Sequence, residues 1–235
     1  MIRKLSRSWD DFDAYLFDID GTLLNCQDAV HYFAFCNALS AIGERPLNLD
    51  GVVTHGNTDL GILRDAFRLG QVNEVQWRTR LDEIYEQMGS EVEANREDFR
   101  INVLPGVQEL LAHLRSRGKV LSTATGNLAR VGIAKLEACG LWSAFDLGGW
   151  SDGFETRADV FRAALAGVRA RVGAGGSVCV LGDTPADIQA AHENGLEVIA
   201  VATGIFAFEQ LQVEKPEMCV RELTELMAVG VGRGR

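Results

Sequence analysis

Four places in the chain combine residue types and spacing that could do chemistry. The first is Asp18-Ile19-Asp20-Gly21-Thr22, directly after the apolar run Ala14-Tyr15-Leu16-Phe17. Period-2 geometry puts Asp18 and Asp20 on one side wherever the extended backbone continues. Two carboxylates that close repel each other, and a divalent cation with hard oxygen ligands is the natural charge to sit between them. An Asp-rich turn closing a strand would use the same residue types. The second place is Thr123-Ala124-Thr125-Gly126-Asn127. A hydroxyl at a strand end, followed by glycine and a helix start, offers O–H and N–H donors to an anion. Thr125 or Asn127 would serve equally as an N-cap.

The third is Gly182-Asp183-Thr184-Pro185-Ala186-Asp187, where Asp183 closes the apolar run Ser177–Leu181. Thr184 to Asp187 has the capping-box pattern with Pro185 at the first helical position, so Asp187 has a structural reading beside a functional one. The fourth is Arg157 in Glu155-Thr156-Arg157-Ala158-Asp159. Thr156 and Asp159 suggest a second capping box, which places Arg157 in a first turn, where a cation opposes the helix dipole. A residue set against local preference hints at function, and a solvated surface arginine is its plain alternative.

The elements that must position these residues alternate. A strand is expected at Ala14–Phe17, Lys119–Thr123, Phe145–Leu147, Ser177–Leu181 and Glu197–Val201. Helices are expected between them, with Val107, Leu110, Leu111 and Leu114 giving one apolar face and Val160, Phe161, Ala164, Leu165 and Val168 another. Pro105 and Gly118 bracket the first of these helices. Helices are also expected at Leu128–Ala138, Ala158–Val172 and Pro185–Glu193. From Asn25 to Arg100 the pattern is helical with no convincing strand, over Val30–Ile42, Thr58–Leu69 and Val72–Met88. The reading is α/β: a Rossmann-like parallel sheet with helices on both faces and an inserted small α-helical domain. Ligands of such sheets sit at the carboxyl ends of the strands.

The 235 residues carry 23 basic and 33 acidic side chains, a net charge of −10. That balance argues against nucleic acid or an anionic membrane as the main partner, and it means an anionic substrate needs positive charge supplied locally. The apolar share of 47% suits a globular protein rather than a disordered one. No stretch approaches 18 consecutive apolar residues. Met1–Asp10 has three basic residues but no apolar region after them, so no secretory signal is expected there. The five cysteines are widely spaced without a Cys-x-x-Cys pair, which fits inert thiols in a reducing cytoplasm. Val229–Arg235 reads as a frayed end.

Taken in order, Asp18-Ile19-Asp20-Gly21-Thr22, Thr125, Arg157 and Gly182-Asp183-Thr184-Pro185-Ala186-Asp187 resemble the motifs of the haloacid dehalogenase-like hydrolase superfamily, especially its phosphoglycolate-phosphatase-like branch. The resemblance runs from about Tyr15 to Val201. It implies a Rossmann-like core of residues 1–24 plus 101–235 and a mobile helical cap of residues 25–100. It also implies a Mg2+-dependent phosphatase acting on a small phosphorylated metabolite through an aspartyl-phosphate. Asp18 would be the nucleophile and Asp20 the general acid and base, with a pKa raised by burial or by Asp18. Magnesium would be held by the Asp18 carboxylate, the Asp20 backbone carbonyl and Asp183, with Asp187 orienting that shell or Arg157. Thr125, Gly126, Asn127 and Arg157 would hold the phosphoryl oxygens, with Gly21 and Thr22 among the substrate contacts. From the cap loop Gly51–Asp59, His55 and Thr58 are the candidate contacts, although Thr58 could simply cap a helix.

One departure concerns the third motif, where many phosphoglycolate phosphatases carry lysine followed by proline. Arg157 stands there, and Lys119, Lys135 and Lys215 look less well placed. A dehalogenase would lack the second carboxylate, which Asp20 supplies. A phosphonate hydrolase needs a cap lysine, and residues 25–100 contain none. A sugar phosphomutase shares all four motifs, and a non-catalytic phosphometabolite-binding protein could share the fold. The expected partner is a small phosphate ester, with neither nucleic acid nor membrane. Substrate identity and oligomeric state stay open at this point.

Overall fold

The computed structural model describes residues 4–230, so the tail expected to fray lies outside it from residue 231 onward. Its elements are β1 (Ala14–Phe17), β2 (Leu24–Cys26), α1 (Val30–Gly43), α2 (Asp59–Leu69), α3 (Glu74–Arg78) and α4 (Leu81–Ala94). They continue with β3 (Ile101–Val103), α5 (Val107–Ser116), β4 (Val120–Thr123), α6 (Ala129–Ala138), α7 (Arg157–Val172) and β5 (Val178–Gly182). The chain then closes with α8 (Pro185–Glu193), β6 (Glu197–Val201), α9 (Phe208–Val213), β7 (Met218–Val220) and α10 (Thr224–Gly230).

Five strands form one parallel sheet in the order β4-β1-β5-β6-β7. Side chains alternate strictly across it. Tyr15, Phe17, Leu121, Cys179, Leu181, Ile199 and Val201 pack on one face with Leu110, Leu111 and Leu114 of α5. Ala14, Leu16, Val178, Val180, Val198 and Ala200 pack on the other with Val160, Phe161 and Val168 of α7. Both faces are covered, which is why β5 and β6 read as continuous apolar runs. The chain leaves β1 to build β4 on one side and later β5 on the other. The central strand is therefore a switch point, and its carboxyl end opens a crevice.

Helices α1 to α4 enclose their own apolar cluster around Phe35, Leu39, Leu63, Phe67, Ile84 and Met88. Phe67 is fully buried, which contributes about 2–3 kcal/mol by the transfer of its apolar surface. The cluster continues onto Leu128, Val131 and Ala134 of α6, so the helical segment leans on the core beside the strand ends.

Three expectations need correction. The helix expected over Val72–Met88 is broken. Asn73 caps α3 by accepting from the Val75 and Gln76 N–H groups, and the Thr79 hydroxyl turns back on the Val75 and Gln76 carbonyls. The break lets Trp77 stack on Phe67 at 5.3 Å. The strand expected at Phe145–Leu147 is a single bridge between Ser122 and Leu147. There the Asp146 carboxylate, rather than a ladder carbonyl, also takes the Leu121 N–H at 3.0 Å. Finally, a strand does occur at the start of the helical segment. β2 pairs antiparallel with β3, so the chain enters and leaves the segment through adjacent strands. Three residues are too few for alternation to reveal.

Candidate active site

Asp18 directly follows β1, and its N–H donates to the Leu181 carbonyl of β5 at 2.9 Å. On the other side, the Ala124 N–H donates to the Phe17 carbonyl at 2.7 Å. These bonds fix Asp18 between the turn that carries Thr125 and the end of β5, where Asp183 stands. The turn after β1 then swings back so that the Leu23 N–H reaches the Ile19 carbonyl at 2.8 Å. Gly21 permits this with φ 86°, and a Cβ there would run into the Asp183 carboxylate. Asp18, Thr125 and Asp183 are all buried.

Arg157 opens α7 behind the Thr156 N-cap and is buried to 8% exposure. Its guanidinium reaches inward. Nη2 lies 2.7 Å from both Asp18 Oδ1 and Asp187 Oδ1, and Nε donates to Asp187 Oδ1 at 2.8 Å. Asp187 completes the capping box of α8 with Thr184, so it serves helix and site at once. Arg157 thus takes a first-turn position against the dipole because two carboxylates hold it there.

The acids outweigh the cations. Among the described residues, the carboxylates of Asp18, Asp20, Asp183 and Asp187 meet two cations, Arg157 and Lys135, so with all four ionised two negative charges are left over. Burial raises the Asp18 pKa to about 6 against the pull of Arg157, with Asp187 and Asp20 adding to the rise. Burial and then the charges of Asp18 and Asp187 push Asp183 well above the ordinary carboxylate range. Ligand oxygens of Asp18, Asp183 and Asp187 lie within 4.8 Å of one another. Among the described residues, Asp183 accepts from one donor, the Thr22 hydroxyl at 3.2 Å. Buried, mutually repelling carboxylate oxygens with an excess of two charges suit a hard divalent cation.

Asp20 sits in a separate arrangement. Lys135 Nζ donates to both its oxygens at 2.9 and 2.8 Å, and Asn127 Nδ2 donates to Oδ2 at 2.7 Å. Lys135 also donates to Asn127 Oδ1 at 2.9 Å and to His31 Nδ1 at 3.3 Å. That bond places the His31 ring proton on Nε2, which faces Asp59 Oδ2 at 3.2 Å. Asp59 in turn accepts from the Leu128 N–H at 2.8 Å and donates its own N–H to the Gly126 carbonyl at 2.7 Å. The expected rise in the Asp20 pKa is therefore reversed. Burial pushes upward, but the Lys135 charge and the hydrogen bonds from Lys135 and Asn127 outweigh it. The Lys135 ammonium is correspondingly held charged despite burial, chiefly by Asp20.

Lys135, set aside from the sequence as a stand-in for Arg157, lines the site in a different role, paired with Asp20 while Arg157 holds Asp18. The signal was its place on a buried stripe with Leu128 and Val131, where a lysine needs a partner. His31 was likewise missed. Neither Thr125 nor Asn127 caps α6, because Asp59 and Asp152 take the Leu128 and Ala129 N–H groups. Asn127 is spent instead on Asp20, Lys135 and Thr125 Oγ1.

A cavity of about 300 Å³ joins these groups. Asp18, Asp20, His55, Thr125, Gly126, Asn127, Arg157 and Asp183 line it, as do Lys135 and His31. Gly21, Thr22, Thr58 and Asp187 do not. Thr22 supports Asp183, and Thr58 caps α2 by accepting from the Gly61 N–H at 3.0 Å. Cys26 also lines the cavity, but burial pushes its thiol up to about 12, so it stays protonated. The five cysteines are all free, and only Cys179 is fully buried.

A curated relative, "Probable phosphatase IndB" of Dickeya dadantii (strain 3937), is 34% identical over 126 residues. The match takes in 53% of this chain and 54% of that one, so the chain spans about half that relative's length. CbbY from Rhodobacter sphaeroides, solved in complex with phosphate, superposes with TM-score 0.66 at 21% identity over 92% of this chain and 96% of its own. A "predicted phosphoglycolate phosphatase" from Haemophilus somnus 129pt gives TM-score 0.63 at 20% identity over 93% and 98%. These structures share the fold. The model of the haloacid dehalogenase-like hydrolases matches residues 12–195, which contain every group at the strand ends, and the chain belongs to that family.

Proposed function

We propose that this protein is a Mg2+-dependent phosphatase that hydrolyses a small phosphorylated metabolite in the cytoplasm through an aspartyl-phosphate. The observation that carries the reading is the Arg157 guanidinium, which bridges Asp18 and Asp187 beside Asp183 at the carboxyl end of the central strand. The names of the relatives agree with it: one is called a phosphatase, and another was solved with phosphate. Asp18, Asp183 and the Asp20 backbone carbonyl would hold magnesium. The ion would supply charge neutralisation for the phosphoryl oxygens.

Asp18 attacks phosphorus, so a bond forms from its carboxylate oxygen while the ester P–O bond breaks. Asp20, which Lys135 and Asn127 hold ionised in the resting site, relays to the leaving alcohol the proton that the singly protonated phosphate ester brings with it. Water then attacks the phosphoryl group, Asp20 takes the water proton, and Asp18 is released with inorganic phosphate. The proton taken in the second step leaves with inorganic phosphate, and Asp20 returns to its ionised form. Arg157 and Thr125 face the phosphoryl oxygens. Lys135 and Asn127 hold Asp20 in place between these transfers. Residues 25–100 act as a cap, entered and left through β2 and β3.

The test is release of p-nitrophenol from p-nitrophenyl phosphate with magnesium or with chelator. Metal-dependent release by the wild type, and its loss below about one thousandth in Asp18→Asn, is the expected result. Near-normal turnover by Asp18→Asn overturns the assignment.

A further inference from the structure

The cavity has two unlike walls. Its floor carries the carboxylates, Arg157 and Thr125. Its roof, from the helical segment, presents Tyr32, Phe35, Leu49 and Ile62 beside the polar loop of residues 54–57, with the Phe35 ring stacked on His31 at 4.8 Å. Among the described residues, the only lysine and arginine lining the cavity are Lys135 and Arg157, and each is held by carboxylates. The one carboxylate of the roof, Asp59, faces His31. The arginines of the helical segment are spent elsewhere. Arg64 and Arg78 share Glu155, and Arg80 pairs with Glu83.

A phosphoryl group on the floor aims the rest of its ester at this roof. A second phosphate or a carboxylate set against these side chains would shed part of its water without gaining a cation, which is unfavourable. An uncharged group with an apolar face would instead bury surface against Phe35, Leu49 and Ile62. We infer that the substrate is a phosphomonoester whose alcohol part is uncharged and apolar on one face, and that bisphosphates and phosphorylated carboxylic acids are excluded. This rests on the phosphatase reading above and narrows its substrate class. It also sets aside the bisphosphate that a sugar phosphomutase must hold. His55, on the roof, suits a hydroxyl as donor or acceptor.

The test is titration calorimetry of the whole protein with magnesium at pH 8, where an ordinary imidazole is uncharged. The probes are benzylphosphonate and 3-phosphonopropionate, which share the phosphonate and differ in ring against carboxylate. Benzylphosphonate is expected to bind at least about tenfold more tightly. In Leu49→Arg, at a half-buried position, the order is expected to reverse. Equal or tighter binding of 3-phosphonopropionate to the wild type overturns the inference, as does failure of both probes to bind. Hydrolysis of p-nitrophenyl phosphate is measured in parallel. The expected probe order without hydrolysis supports the binding inference and overturns the phosphatase. Hydrolysis with the opposite order does the reverse.

Discussion

Lys135 Nζ lies 2.9 and 2.8 Å from the two carboxylate oxygens of Asp20, and the same ammonium reaches His31 Nδ1 at 3.3 Å. One buried cation on a core helix therefore joins the second carboxylate of the first motif to helix α1 of the overlying segment. The Asp59 carboxylate extends the tie, because it sits against His31 and also takes the Leu128 N–H. The position of Asp20 and the seating of the helical segment are thus set by the same short network.

Lys135→Met removes the cation and leaves Asp20 and Asn127 Oδ1 short of a donor. Asp20 retains solvent contact, so the cost to stability is about 1–2 kcal/mol, below that of a fully buried pair. kcat should fall by roughly 10–100-fold with KM nearly unchanged. The fall should be larger for an alkyl phosphate than for p-nitrophenyl phosphate, whose leaving group needs little proton transfer. An equal loss on both esters would mean that Lys135 matters only for folding.

Arg157→Ala leaves Asp18 and Asp187 unpaired in a buried site. A loss of about 3 kcal/mol is expected in urea unfolding, together with a kcat lower by roughly 100-fold or more. Arg157→Lys keeps the charge but cannot contact both carboxylates through a planar fork. It should recover more of the stability than of the rate.

Magnesium should stabilise the folded chain, because the excess of acids is relieved only in the folded state. At about 100 times Kd the gain is roughly 2.7 kcal/mol, which raises Tm by about 5–10 °C for a chain of this size. Thermal scans with magnesium and with chelator measure it. Asp183→Asn should remove most of the difference and should melt higher than the wild type in chelator.

Asp13 offers a pH test away from the site. Its carboxylate accepts from the Ser177 N–H at 2.8 Å and the Ser177 hydroxyl at 2.7 Å, tying the start of β1 to the start of β5. These bonds hold its pKa below the ordinary 3.8. A folded-state pKa below the unfolded one means that the contribution is complete above about pH 4 and is lost as pH falls through the folded value. The group is mostly exposed, so about 0.5 kcal/mol is at stake. Asp13→Asn should flatten that part of the stability curve in denaturant titrations between pH 2 and 5.

The sequence by itself determined the α/β class and the strand ends that carry Asp18, Thr125 and Asp183. Apolar runs closed by an acid or a hydroxyl are local patterns, and the parallel sheet follows from strands alternating with helices. Arg157 was legible for the same reason, as a cation in the first turn of a helix. The partners of these groups were not. Lys135 comes from the middle of α6 and His31 from α1, and nothing in their own neighbourhoods shows that they meet over Asp20. Only the tertiary structure decided that the Asp20 pKa is lowered rather than raised, because the sign depends on a cation 115 residues away. The break at Thr79 and the pairing of β2 with β3 were hidden too. A three-residue strand and a single stacked tryptophan gain their stability from contacts distant in sequence. The apolar roof of the cavity belongs with these. Tyr32 and Phe35 lie on α1, Ile62 on α2 and Leu49 in the loop between them, and only packing brings the four together beside the carboxylates.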